Sequence, residues 1–180
     1  MNIFVLSKDP NEAARMLCDK HVVKMHVESI QMLVSALRRW LPATTVRRKD
    51  GELHRGGYHN HPCTRWTGDS LHNFQWLTRH TAALCHEHEF RYGKVPYSKM
   101  QLDQVLSHYN PLRRLMLAHG AIDRTDFVLA MPDKYKYPIS PVRSYRTYYK
   151  HDKIQFAEWS RGRDCPLWMY PRTERIAKDD

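Results

Sequence analysis

The stretch from Asp19 to Leu41 constrains this chain most, because its apolar residues recur at the α-helical period over about six turns. Val23, Ile30, Leu33, Val34, Leu37 and Leu41 form one stripe, which predicts a buried helix face. His21, Lys24, Glu28 and Gln31 recur at three- and four-residue steps and share a neighbouring polar stripe. A second long helix is expected from Thr67 to about Tyr92, with Leu71, Phe74, Leu77, Leu84 and Cys85 inward and Gly93 just past its end. Shorter helices are expected after Asp9-Pro10-Asn11-Glu12, from Ser98 to His108 ahead of Asn110-Pro111, and from Ser140-Pro141 to about Trp159. Met1 to Leu6 reads as one buried strand, and Phe127 to Pro132 as a strand or an extended loop. Pro42 to Pro62 reads as a long polar loop carrying Arg47-Arg48-Lys49 and Arg55-Gly56-Gly57. The pattern predicts one mainly α, compact helical domain over residues 1–160 with a short N-terminal strand, followed by an irregular tail over 161–180.

Charge narrows the function classes. Lys plus Arg number 29 against 19 acidic residues, so the chain carries +10 before its twelve histidines are counted. Such a surplus concentrates polyanions at the surface and speeds their capture. No basic amphipathic helix with a Trp/Phe/Leu face and no long apolar run stands out, which argues against a membrane and for nucleic acid, double-stranded DNA foremost. Cys18, Cys63, Cys85 and Cys165 are scattered without a CxxC pair and read as reduced thiols of a cytoplasmic protein, expected to act as a monomer. With no P-loop and no GxGxxG, no nucleotide cofactor is expected.

Three clusters can carry chemistry. His21, Lys24 and Glu28 on one helix face offer a base, an amine and a carboxylate to one substrate atom; a Lys24–Glu28 surface ion pair is the plain alternative. Tyr58-His59-Asn60-His61-Pro62-Cys63-Thr64-Arg65-Trp66 is dense in polar and aromatic groups. It reads as a turn aiming Asn60, His61 and Arg65 at a polyanion, as a packing corner, or as a metal site on His59, His61 and Cys63 that lacks a fourth ligand at conventional spacing; no metal is expected. Arg143, Arg146 and Lys150 share a helical face with Tyr145, Tyr148 and Tyr149 interleaved, a pattern suited to phosphates and stacked bases, with Tyr148 or Tyr149 expected in the core.

Met1-Asn2-Ile3-Phe4, Asp19-Lys20-His21, Glu28, the Asn60-His61-Pro62 turn, Phe90-Arg91-Tyr92-Gly93 and Tyr145-Arg146-Thr147-Tyr148-Tyr149-Lys150 follow one another in a familiar order. In this the chain resembles the small phage pyrimidine-dimer DNA glycosylases of the endonuclease V type and their bacterial relatives. The resemblance implies a compact, mostly helical fold, with Glu28 in the place of the catalytic glutamate and His21 in that of an active-site histidine. It also implies attack on C1′ by the N-terminal α-amine, a Schiff base and strand cleavage. Asn2 departs from the small second residue of that family and does not favour removal of Met1, and the family's arginines beside the catalytic glutamate are absent, with Val27 and Gln31 standing nearby. Lys24 as the amine, or water activated by Glu28, stay open. So do a base-modifying transferase of viral DNA hypermodification and a non-enzymatic nucleic-acid-binding protein.

Overall fold

The computed structural model describes residues 1–170. Among them lie seven α-helices: α1 (Pro10–Met16), α2 (Asp19–Trp40), α3 (Pro62–Asp69), α4 (Leu71–Tyr92), α5 (Tyr97–Ser107), α6 (Tyr109–Ala118) and α7 (Pro141–Tyr148). The long helices α2 and α4 pack against each other; α1 lies on α4, and α3 and α5 lie on α2. Ile30, Leu33, Val34 and Leu37 face the core as their period requires, joined by Val22, Met25, Met32 and Ala36. Val23 departs from its expected place and stands 42% exposed.

The expected N-terminal strand does not form. Residues 2–6 are buried, yet they pair with no other strand, and the described residues hold only an isolated bridge between Arg47 and Leu53. Side chains satisfy the backbone instead. Asn2 Oδ1 accepts from the Ile3 and Phe4 N–H groups at 2.8 and 3.0 Å, and Asn2 Nδ2 donates to the Ala130 carbonyl at 2.8 Å. Arg146 Nε donates to the Leu6 carbonyl at 2.9 Å. An apolar run signals burial; whether its polar groups find a ladder or side chains is decided elsewhere in the chain.

Caps explain most helix limits. Asp9 Oδ1 accepts from the Asn11 and Glu12 N–H groups, both at 2.9 Å, with Pro10 in the first turn. The predicted helix over 67–92 is split at Ser70, whose backbone is extended and whose Oγ accepts from Asn73 N–H at 3.1 Å to open α4. Gly93, at φ +64°, closes α4 with its N–H on the Glu89 carbonyl. Asn110-Pro111 does not end a helix. Pro111 sits in the first turn of α6, where a missing N–H costs nothing. After α7 the chain widens into a π-helical turn, Tyr149–Lys153, and stops short of Trp159. Phe127–Pro132 is an extended loop, its Phe127 packed against Trp66 and Trp76. Of the expected tail, residues 161–170 are irregular apart from a 3₁₀ turn, Leu167–Met169; residues 171–180 lie outside the described ones.

A buried polar centre joins these parts. The Arg91 side chain, fully buried, donates to the Arg15 and Leu17 carbonyls at 2.9 and 2.8 Å, to Asp19 Oδ1 at 3.0 Å and to Glu87 Oε2 at 3.1 Å. Arg163 grips the other side of Glu87, with NH2 2.7 Å from Oε1. Arg91→Met is expected to cost about 3–5 kcal/mol in urea unfolding, since it removes the buried cation between two carboxylates and takes a donor from two carbonyls.

Three buried histidines set an acid limit. Burial lowers His21 to about 3, with Lys153 and Lys24 adding to the effect. It lowers His26 to about 4, helped by His88, and His80 to about 4 against the opposing hydrogen bond to the Pro10 carbonyl. The unfolded chain therefore binds protons near pH 6.5 that the folded chain refuses, so stability is full above that pH and falls as pH drops toward 4. Each histidine contributes a slope of about 1.4 kcal/mol per pH unit in that window. The urea midpoint is expected to fall steadily from pH 6.5 to 4.5; a flat midpoint contradicts the burial of these rings as neutral groups.

Candidate active site

The site is built where the N-terminal segment crosses α2. Glu28 lies mid-helix with its side chain 12% exposed. Its Oε2 accepts from the Asn2 N–H at 3.2 Å and stands 3.6 Å from the Met1 α-amine. Its Oε1 stands 3.1 Å from Lys24 Nζ, one turn earlier on the same stripe. The Met1 side chain is fully buried, and its Sδ accepts from the Thr64 hydroxyl at 3.2 Å. An amine, a carboxylate and an exposed ammonium thus meet at one point, the amine held by an apolar anchor.

Two histidines flank this point, each in its own way. His61 caps α3, its Nδ1 accepting from Cys63 N–H at 3.2 Å. Burial lowers its pKa and the charge of the Met1 amine lowers it further, while the Glu28 carboxylate pulls it the other way. His21 lies deeper. It stacks on Phe4 with centroids 4.5 Å apart, and its Nδ1 meets the Tyr149 hydroxyl at 2.7 Å. That hydroxyl also accepts from Cys18 N–H at 2.9 Å. His21 is therefore a neutral, buried ring that shapes the floor beneath the N-terminal segment.

The other expected binding residues divide between surface and core. Asn60 and Arg65 are exposed and line a hollow of about 530 Å³ with Arg38, Arg39 and His59. Arg143 is exposed and lies over the Tyr137 ring at 4.3 Å. Lys150 is half-buried and donates to the Tyr170 carbonyl at 3.2 Å. Tyr145 is a core residue, its hydroxyl 2.8 Å from the Val128 carbonyl, so no face of it is open for stacking; Tyr149 is buried as expected, and Tyr148 is half-buried. Arg146 turns inward to the Leu6 carbonyl and packs against Trp168 at 5.4 Å. The reason is shared: α7 closes over the N-terminal segment, so the face that carries these groups also carries the packing.

His59 is exposed while Cys63 is fully buried, its thiol pushed up to about 12 by burial, so the alternating trio does not converge. Among the described residues no three His, Cys, Asp or Glu side chains gather as metal ligands. Arg38 and Arg39 were not read from the sequence as part of the site. The signal was present, because the polar stripe of α2 continues past Gln31 through Ser35 to these two arginines.

Arg146→Gln is expected to lower the unfolding free energy by about 1–3 kcal/mol, because the Leu6 carbonyl loses a buried donor, whereas Arg65→Gln changes it by less than about 0.5 kcal/mol. Equal urea midpoints for the two variants contradict this division of roles.

Among the described residues no helix is long and apolar enough to cross a membrane. No curated protein and no solved structure matches the chain. One family model, described as pyrimidine dimer DNA glycosylase, matches residues 1–99, which contain the Met1 amine, Glu28, Lys24 and His61. With just over half of its length matched, and the amine–carboxylate pair inside the matched part, the chain belongs to the pyrimidine dimer DNA glycosylase family.

Proposed function

We propose that this protein excises damaged pyrimidines from double-stranded DNA through the α-amine of Met1, with Glu28 as its acid–base partner, and that the resulting imine proceeds to strand cleavage. The observation that carries this reading is the 3.6 Å approach of the Met1 amine to Glu28, fixed from the backbone side by the Asn2 N–H at 3.2 Å. An amine nucleophile needs a lone pair and a neighbouring group to take its proton, and a carboxylate at this range meets that need.

The reaction then balances as follows. The amine nitrogen attacks C1′ of the damaged nucleotide, the bond from C1′ to the base nitrogen breaks, and the base leaves with the bonding electrons and takes up a proton. Glu28 takes a proton from the amine nitrogen and delivers it to O4′ as the C1′–O4′ bond breaks, which opens the sugar ring and leaves an iminium at C1′ whose positive charge faces Glu28. Loss of a C2′ proton expels the 3′ phosphate, the lyase step. C1′ is reached only when the nucleotide is drawn out of the stack, which requires base flipping or an equivalent opening of the duplex. Lys24 bonds the other carboxylate oxygen and keeps Glu28 turned toward the amine. The buried Met1 side chain lets residue 1 itself serve as the reacting residue, in place of a small residue exposed by trimming.

Borohydride added to protein and UV-irradiated duplex is expected to trap a covalent adduct, and peptide mass mapping to place it on Met1. Lys24→Gln is expected to keep the adduct. Glu28→Gln is expected to slow single-turnover excision at least about 100-fold while DNA affinity changes little. An adduct on Lys24 transfers the nucleophile to that residue. Excision with no trappable adduct points to water activated by Glu28, and a fully active Glu28→Gln protein removes Glu28 from the chemistry.

A further inference from the structure

Residues 54–61 form a turn held on α2. Gly56, at φ +79°, lies so close to Ser35 that a Cβ there would come within 2.2 Å of Ser35 Oγ, a fit only glycine allows. Ser35 Oγ donates to the Gly57 carbonyl at 3.1 Å and accepts from the Gly57 N–H at 2.9 Å. His61 N–H closes the turn on the Tyr58 carbonyl at 2.9 Å.

Tyr58 is displayed by this arrangement. Its φ of +52° is a left-handed conformation that residues with a Cβ rarely adopt. Its side chain is 68% exposed, and its ring meets no other ring or cation among the described residues. A lone exposed aromatic is unremarkable in itself; its setting is not. Residues 54–56 line a hollow of about 520 Å³ with Gln31 and Arg48. Residues 59 and 60 line the hollow of about 530 Å³ that holds Arg38, Arg39 and Arg65. The turn runs between these two arginine-bearing hollows, the first of which also carries Glu52, and Tyr58 lies between the residues that line each. Arg38, Arg55 and Arg65 have no carboxylate partner among the described residues. The far end of the same turn is His61, the N-cap of α3, and Thr64 in the first turn of that helix donates to Met1 Sδ.

The geometry points to Tyr58 as the side chain that enters the base stack at the lesion, stacking on the bases uncovered when the duplex opens there, while Arg38, Arg55 and Arg65 hold the phosphates on either side. An aromatic face serves any base, and a backbone pinned in advance loses little freedom on binding. This inference rests on reading Glu28 as the centre of a base-excision site on DNA.

The test uses the full chain and a duplex carrying a thymine dimer with 2-aminopurine in the opposite strand at the lesion. Its emission reports stacking whether or not a base is released. Wild-type protein at saturation is expected to change the emission. Tyr58→Ala is expected to lose most of that change and to slow single-turnover excision about tenfold, with an unaltered salt dependence of binding. Tyr58→Trp and Tyr58→Phe are expected to restore excision to within about threefold of wild type. Tyr58→Gly, which relieves the positive φ, is expected to share the alanine defect at an unreduced thermal midpoint, which separates it from misfolding. Equal emission and equal rates for wild type and Tyr58→Ala overturn the inference. If the wild type alters emission but breaks neither a glycosidic bond nor the strand at the dimer, the excision reading fails and Tyr58 is judged on emission alone. If it leaves the emission unchanged at every protein concentration, Tyr58 falls whatever the excision result.

Discussion

The guanidinium of Arg91 is the interaction on which the remaining structure leans. Fully buried, it meets the last carbonyls of α1, the first carboxylate of α2 and Glu87 one turn back on its own helix. A charge taken out of water is tolerable only when its donors are spent on well-placed acceptors, and here they are. Burial alone would raise the Glu87 carboxyl, yet the hydrogen bond and charge of Arg163, then of Arg91, outweigh it and hold the group below the usual carboxylate range. Asp19 closes the other side, its second oxygen accepting from the Ser160 N–H and hydroxyl at 2.8 and 3.1 Å. The start of α2 is therefore fixed, and with it the rotation that sends Glu28 toward the N-terminal segment.

That segment acts as a plug more than as an element of secondary structure. Its apolar side chains fill the space above α2, and its polar groups are met by Asn2, Ala130 and Arg146. The same arrangement brings the Met1 amine beside Glu28. Beneath it the ring of His21, stacked on Phe4, rests on the Tyr149 hydroxyl, and its neutrality avoids a third positive charge beside Lys24 and Lys153. Anchoring and orientation are linked here, because the contacts that bury the Met1 side chain also set the direction of its amine.

Only part of the basic-aromatic run of α7 faces outward. Arg146 is spent on a backbone carbonyl and Tyr145 on the core, while Arg38, Arg39 and Arg65 gather around the turn that leads to His61. Pinning of that turn at Ser35 converts a long polar segment into a defined wall on α2.

Helix periodicity, the caps at Asp9, Ser140 and Gly93, and the stripe bearing Lys24 and Glu28 were all legible in the chain itself, because each depends on residues within one or two turns. The net charge of +10 pointed to a polyanion in the same direct way. Tertiary structure decided what periodicity cannot express. Met1 to Leu6 became a plug and not a strand, and Arg146 turned inward, because their partners lie 26 and 140 residues away in the chain, at Glu28 and Leu6. Amine and carboxylate meet only once α2 has been set in place by Arg91. Local sequence determines which groups share a helix face; only the packing of distant segments determines which of those groups meet one another and which face solvent.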